Sequence, residues 1–179
     1  DSLAASAGSG LFIDTLADMR DAGKSIDELY QWAEDNKLHL HLWFTASDLT
    51  WFVKGGRVSK AAGWFGTVLK ICPVLNVDNQ GRLIPRFKIR GKQNALKELV
   101  NQMEEHAKGG RQYSGKCYIS HSDCEEDAKA LANEVAKAFP KIEGEVSIYN
   151  IGTSHAYSVI VGCGKESLYE VELLIKYMT

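Results

Sequence analysis

The chain has 179 residues, of which 45% are hydrophobic, so it can form one domain with a buried core, or one domain and part of another. Its 21 Lys and Arg and 23 Asp and Glu leave a formal net charge of −2, which disfavours a nucleic-acid partner. The cysteines form no C-x-x-C pair, and no secretory signal or stretch long enough for stable membrane insertion is visible. These features predict a cytoplasmic protein with reduced thiols.

Two successive helices are predicted at the start of the chain. The first has apolar residues at helical spacing and ends near Gly23, which suits a helix C-cap. The second runs from Ser25 to about Asn36, because Ser25 and Glu28 have the spacing of a capping box. Its buried face is expected to contain the apolar residues Ile26, Leu29, Tyr30 and Ala33.

The segment LHLHLWF predicts a strand with one buried face, because Leu38, Leu40 and Leu42 alternate with more polar neighbours. A short helix that ends at Gly55 and Gly56 follows, and then a helix that begins at Ser59. This second helix contains two interior glycines, each of which costs roughly 1 kcal/mol relative to alanine. We therefore expect either a neighbouring element or a long apolar ligand to approach it closely.

The remaining chain alternates between strands and helices. A hairpin is predicted around the turn 78–81, followed by a helix over 91–108, a strand over 116–121 and a helix over 123–138. Ser122 or Asp123 is expected to cap the last of these helices. A strand over 145–150 and another in YSVIVGCG complete an α/β or α+β pattern, whereas residues 165–179 fit either a strand or a helix.

Three places contain candidate functional residues. Arg57 follows two glycines and is either an exposed residue at a helix end or a ligand for a carboxylate or phosphate. His155 lies in a loop at a strand end and is either merely polar or an anion ligand or base. Five cations at spacings of two or four predict a charged face on the hairpin, which is either a solvated edge or a docking surface for an acidic partner. They are Arg82, Arg86, Lys88, Arg90 and Lys92.

Other polar clusters are weaker candidates. His39 and His41 share one predicted strand face, but no third ligand is apparent, so no metal site is predicted. Ser120, His121 and Asp123 are too close in sequence for a catalytic triad, whose members converge from separate elements.

The order and spacing of five segments over about residues 1–150 resemble the DegV family of bacterial fatty-acid-binding proteins. These segments are DSLAASAGSGLFI, DAGKSIDEL, LTWFVKGGRVSKAAGWFGTVLKICPVL, GRLIPRFKIRGKQNAL and YISHSDCEEDAKAL. The resemblance implies a DegV-like α/β fold in which residues 1–44 complete an N-terminal α/β domain that is largely absent from this chain. Residues 45–179 would form the C-terminal α+β domain, an antiparallel sheet with helices.

The same resemblance implies a lipid carrier of phospholipid metabolism and not an enzyme. Such a carrier holds a long-chain fatty acid between two domains, needs no cofactor, and presents the carboxylate to a fatty acid kinase. The implied acyl-chain wall consists of Ala62, Trp64, Phe65, Val68 and Leu69. Arg86 and Arg90 are the implied docking residues for the kinase.

The implied carboxylate ligands are Arg57 and one residue of the loop before the last strand. The family has a His-Thr-Gly-Pro-Gly loop there, which this chain lacks, so that either His155 or Ser158 takes the place of the histidine. A more distant resemblance leaves an alternative function open, a phosphotransferase or dihydroxyacetone-kinase-like component that uses His155.

Overall fold

A computed structural model describes residues 1–4, 6–46, 49–59, 71–150 and 158–163, with the backbone alone described for 50, 51 and 158–163. The helices within these ranges are α1 (Ala7–Asp21), α2 (Ile26–Asn36), α3 (Thr50–Lys54), α4 (Lys92–His106) and α5 (Glu125–Ala138). The strands are β1 (His41–Ala46), β2 (Ile71–Val77), β3 (Leu83–Arg90), β4 (Tyr118–Ser122), β5 (Ser147–Asn150) and β6 (Ser158–Cys163). The predicted mixture of helices and strands is thus confirmed.

The six described strands form one sheet in the order β3-β2-β1-β6-β4-β5. Every neighbouring pair is antiparallel except β4 and β5, which are parallel. The predicted antiparallel sheet with helices is therefore confirmed, with one parallel pair at its edge. β1 lies inside the sheet, since it pairs with β2 on one side and β6 on the other.

The pairing register assigns residues to the two faces of the sheet. Phe44 of β1 is opposite Leu75 of β2 and Ile160 of β6, and Ile160 is opposite Ser120 of β4. Because directly opposite residues share a face, these four positions form one row on what we call the Phe44 face. Trp43 is adjacent to Phe44 along β1 and defines the opposite side, the Trp43 face.

Helices cover both faces. On the Trp43 face, the ring of His106 in α4 lies 5.2 Å from that of Trp43, and α5 packs beside α4. On the Phe44 face, the ring of Phe52 in α3 stacks on Phe44 at 5.7 Å, and α1 contacts β4. The sheet is thus the central layer between two groups of helices.

The two N-terminal helices form as predicted, but the buried face of α2 was partly predicted wrongly. Ser25 and Glu28 make both hydrogen bonds of the capping box, and Leu29 and Ala33 pack against the core. Ile26 and Tyr30, however, are 76% and 67% exposed, while Trp32 is buried against Phe12 with ring centroids 5.6 Å apart. The contact with α1 therefore decides which side of α2 is buried.

The strand predicted at LHLHLWF begins later than expected. Lys37–His39 form a 3-10 turn, and Leu38 is 43% exposed. In β1, Leu42, Trp43 and Phe44 are all buried, so the predicted one-sided burial is wrong. The reason is that helices cover both faces of this interior strand.

The predicted hairpin is confirmed as β2 and β3, but the predicted single row of cations is wrong. A bulge opposite Val74 and Leu75 interrupts the alternation of β3, and Arg86 lies at this bulge, where Nε donates to Asn76 Oδ1 at 2.8 Å. Lys88 and Arg90 lie on the Phe44 face. The other two cations lie outside β3 and form ion pairs, Arg82 with Asp78 and Lys92 with Asp127.

The predicted cap of α5 is also wrong. The N-cap residue is Cys124, and its backbone N–H donates to Nδ1 of His121 at 3.3 Å. Apart from Ser59, the predicted helix over 59–70 lies outside the described residues, and so do the loop over 151–157 and the segment 165–179. The division into domains at residues 44 and 45 stays a prediction, and that position lies within β1.

Candidate functional site

The Phe44 face carries an apolar cluster that is separate from the main core. α3 and the segment after it provide part of this cluster, and β1 and β2 provide the remainder. Its buried members are Phe44, Ala46, Leu49, Phe52, Val58 and Leu75. Val53 and Leu83 pack against it. The cluster therefore gives this part of the face an apolar surface. Its member Val58 comes shortly before Ala62 in the sequence, where the predicted acyl-chain wall begins.

Arg57 lies at the edge of this cluster. The backbone N–H groups of Arg57 and Val58 both donate to the carbonyl of Phe52, at 2.8 and 3.2 Å. Gly56 has a φ of 70°, which lets the chain turn sharply after α3. This turn buries Val58 and leaves Arg57 exposed, with one guanidinium nitrogen 3.3 Å from the carbonyl of Gly55.

Buried hydroxyl groups lie in the same rows of the sheet, toward β4. Ser120 is fully buried and occupies the row of Phe44, while Ser122 is 1% exposed and lies opposite Ser158. The hydroxyl oxygen of Ser120 has no hydrogen-bond partner in the described structure. A buried hydroxyl without a partner costs about 1–3 kcal/mol, so this position is unusual for a purely structural serine.

Ion pairs fix α1 near the start of β4. The ammonium of Lys116 contacts Asp14 at 2.7 Å and also Asp18, and the hydroxyl of Tyr118 donates to Asp14 at 2.8 Å. Burial alone would raise the pKa of the Asp14 carboxyl, but the hydrogen bonds from Lys116 and Tyr118 outweigh burial and lower it. Burial, together with the hydrogen bond to Asp14, raises the pKa of Tyr118. Asp14 is therefore an ionised anchor that accepts two hydrogen bonds.

The described thiols and histidines indicate neither a reactive cysteine nor a metal centre. Cys72, Cys117 and Cys124 form no disulfide bond within the described residues, and burial raises the pKa of Cys72 and of Cys117, which disfavours their thiolates. Within the described ranges, no group of three His, Cys, Asp or Glu is arranged to hold a metal ion. No described helix is both long and apolar enough to cross a membrane.

Most of the predicted ligand residues belong to segments outside the described part of the chain. The acyl-wall residues Ala62, Trp64, Phe65, Val68 and Leu69, together with His155, lie outside the described residues. Ser158 begins β6, where only the backbone is described. Arg57 is exposed at the end of α3, and Arg86 and Arg90 are exposed on β3.

A sequence profile described as "Uncharacterised protein, DegV family" matches residues 1–165. The chain belongs to the DegV family. It is 38% identical over 140 residues to a DegV domain-containing protein of Clostridium perfringens, which covers 78% of this chain and 47% of that protein. It is 30% identical over 171 residues to a fatty acid-binding protein of Thermotoga maritima, which covers 94% of this chain and 58% of that protein. This DegV chain thus spans about half the length of these curated relatives.

Solved structures share the DegV fold of this chain. A fatty-acid-binding DegV family protein of Thermus thermophilus matches with a TM-score of 0.75 and 24% identity, covering 89% of this chain and 58% of that one. The fatty acid kinase B3 protein of Streptococcus pneumoniae, loaded with linoleic acid, matches with a TM-score of 0.73 and 21% identity over 89% and 57% of the two chains. At these identities the likeness establishes the fold of our DegV chain and nothing about its ligand.

Sequence reasoning missed the apolar cluster and Ser120. The alternation of LHLHLWF placed Leu42 on a buried face, but it gave no sign that the cluster would assemble on Phe44. Ser120 was considered only as part of a local Ser-His-Asp set. Strand pairing between β1, β6 and β4 is needed to bring Phe44 and Ser120 into one row of this DegV sheet.

Proposed function

We propose that this chain forms one side of a binding site for a long-chain fatty acid and acts as a carrier, not as a catalyst. The observation that carries the proposal is the apolar cluster on the Phe44 face, with the exposed Arg57 next to its member Val58 and with buried serines in the same rows of the sheet, toward β4. Burial of an acyl chain contributes about 0.8 kcal/mol per methylene group, so an apolar wall supplies most of the affinity. Relatives of the same fold are named for fatty acids, which supports this choice of ligand.

In this proposal Arg57 binds the carboxylate, together with His155 or Ser158. Its side chain is exposed, and within the described part of the chain its guanidinium donates to the carbonyl of Gly55 alone, so that it can turn toward an anion. Ala62, Trp64, Phe65, Val68 and Leu69 extend the apolar wall from the cluster. Because the matched segments make up 47% and 58% of the two relatives, the remainder of the site would come from a further domain outside residues 1–179.

Lipid extraction tests the ligand. The protein is expressed from its complete gene, purified without detergent and extracted with organic solvent, and mass spectrometry is expected to find about one fatty acid per chain. Arg57→Gln should lower the affinity for palmitic acid about tenfold, which corresponds to roughly 1.4 kcal/mol. Arg82→Gln is the matched control, because Arg82 pairs with Asp78 in the hairpin turn and should leave the affinity unchanged. An extract without acyl chains, and no binding of added palmitic acid, would refute the proposal.

We further propose that Arg86 and Arg90 dock a fatty acid kinase that phosphorylates the bound carboxylate. Both residues are exposed on β3, an edge strand of the described sheet, where an acidic partner surface can approach. Charge reversal at Arg90 should slow phosphorylation of the bound fatty acid by the kinase without changing fatty acid affinity. Lys97→Glu on α4 makes the same charge change elsewhere and should have no effect. Equal phosphorylation rates for Arg90→Glu and Lys97→Glu would contradict a docking role for Arg90.

A further inference from the structure

Ser120 stands out among the buried polar side chains of the described residues. Thr15 and Thr45 donate to the carbonyls of Leu11 and Pro73, at 2.9 and 2.8 Å. Gln102 donates to Glu98, and His121 accepts from Cys124. Among the described buried hydroxyls, only that of Ser120 is left without a partner, because Ser122 does have one.

The other two unpartnered polar atoms are indole N–H groups and have a different setting. They belong to Trp32, which packs on Phe12, and to Trp43, which lies on the opposite face of the sheet. Both rings bury a large apolar surface, so packing explains their positions. A serine gains little from burial, and packing gives no comparable reason for Ser120.

The position of Ser120 in the sheet indicates what its hydroxyl faces. Ser120 shares a row with Phe44 through Ile160, and neighbouring strands are about 4.8 Å apart, so Ser120 lies about 10 Å from Phe44. Tyr118, two residues earlier on the same face, is held by α1 through Asp14. Ser120 thus lies between the part of the Phe44 face covered by α1 and the part covered by α3.

The surroundings of Ser120 become more polar toward the end of β4. Ser122 is the next residue on this face, and it lies opposite Ser158, the first residue of β6. The apolar cluster and the buried hydroxyl groups of Ser120 and Ser122 therefore lie on one face, with the apolar side chains toward β1 and β2 and the hydroxyl groups on β4. A fatty acid is complementary to this arrangement, because it has an apolar tail and a carboxylate that accepts hydrogen bonds.

We propose that Ser120 is a further ligand-binding residue of this protein, whose hydroxyl donates a hydrogen bond to the carboxylate of the bound fatty acid. The inference rests on the proposed function, and it adds a donor on β4 to the ligands Arg57 and His155 or Ser158. A hydrogen bond from a hydroxyl to an ionised carboxylate is stronger than one between neutral groups. Binding would also give the buried hydroxyl the partner that it lacks without ligand.

Ser120→Ala tests this role in delipidated protein expressed from the complete gene. Two probes are compared by isothermal titration, palmitic acid and 1-chlorohexadecane, whose chain is as long but has no oxygen. We expect the variant to bind palmitic acid about tenfold more weakly, which corresponds to roughly 1.4 kcal/mol, and to bind 1-chlorohexadecane as the wild type does. The ligand-free melting temperature should be unchanged or higher, because the substitution removes an unsatisfied hydroxyl.

Thr45→Val is the matched control, since its hydroxyl already has a protein partner and lies on the Trp43 face. It should lower the ligand-free melting temperature and leave the ratio of the two affinities unchanged. The inference is overturned if Ser120→Ala binds palmitic acid as tightly as the wild type, or if it loses affinity equally for both probes. If the wild type binds neither probe, the proposed function fails and this inference fails with it.

Discussion

Lys116 Nζ lies 2.7 Å from Asp14 Oδ2, although the two residues are 102 positions apart in the sequence. The same ammonium also pairs with Asp18, one turn further along α1. Because residues four apart lie on one side of a helix, both carboxylates reach a single lysine. This ion pair and the hydrogen bond from Tyr118 fix α1 on the Phe44 face, beside the candidate ligand site.

We expect Lys116→Met to lower the free energy of unfolding by about 1–2 kcal/mol. The side chain of Lys116 is 17% exposed and its loss would leave Asp14 without its charged partner, although the 38% exposure of Asp14 limits the effect. Urea titration followed by circular dichroism measures the change. Lys137→Met removes an ion pair with Glu134 on the exposed side of α5 and should have no measurable effect. Equal losses in both variants would contradict a special role for Lys116.

Stability should fall in acid partly through Asp14. Hydrogen bonds from Lys116 and Tyr118 outweigh the opposing effect of burial and hold the pKa of folded Asp14 below its ordinary value of 3.8. A carboxyl group whose pKa is lower in the folded than in the unfolded protein contributes its full stabilisation at pH values above the unfolded pKa. This contribution disappears as the pH falls from about 5 toward 2. Asp14→Asn should therefore show a shallower decline in unfolding free energy over this range. A wild-type slope for Asp14→Asn would disprove the assignment.

The apolar cluster should depend strongly on Phe52. This residue is 1% exposed and stacks on Phe44, so Phe52→Ala should lower the free energy of unfolding by about 3–5 kcal/mol. Tyr30→Ala removes an aromatic ring that is 67% exposed and should change stability by no more than about 0.5 kcal/mol. Denaturant titrations compare the two. A small effect of Phe52→Ala would mean that α3 is not packed on the sheet in solution.

His121 should protect the backbone amide of Cys124, the N-cap residue of α5. Cys124 N–H donates to His121 Nδ1, so His121→Leu removes the acceptor, whereas His121→Asn retains an acceptor oxygen close to the same place. Hydrogen exchange at the Cys124 amide should be faster in the leucine variant than in the asparagine variant. The leucine variant should also lose about 1 kcal/mol more stability, the usual contribution of a helix cap. Equal exchange rates in the two variants would show that His121 does not accept a hydrogen bond from the Cys124 amide.

The sequence by itself determined the features that depend on neighbouring residues. The capping box of Ser25 and Glu28 needs only a spacing of three, and the turn before Gly81 needs only a residue that tolerates a φ of 75°. Both were predicted correctly for this reason. The position of Arg57 just outside a helix end also followed locally, from the two glycines before it.

Only the tertiary structure decided which of these residues meet. Periodicity could not choose between Ile26 and Trp32 for burial, because that choice depends on the packing of α2 against α1. Periodicity also could not predict that Phe44 and Ser120 lie in one row of the sheet. The strand order β1-β6-β4 places β1 and β4 in the same sheet, although they are more than 70 positions apart in the sequence. Local sequence determines features such as the capping box of α2 and the turn at Gly81, whereas the candidate ligand site depends on long-range pairing that no local pattern encodes.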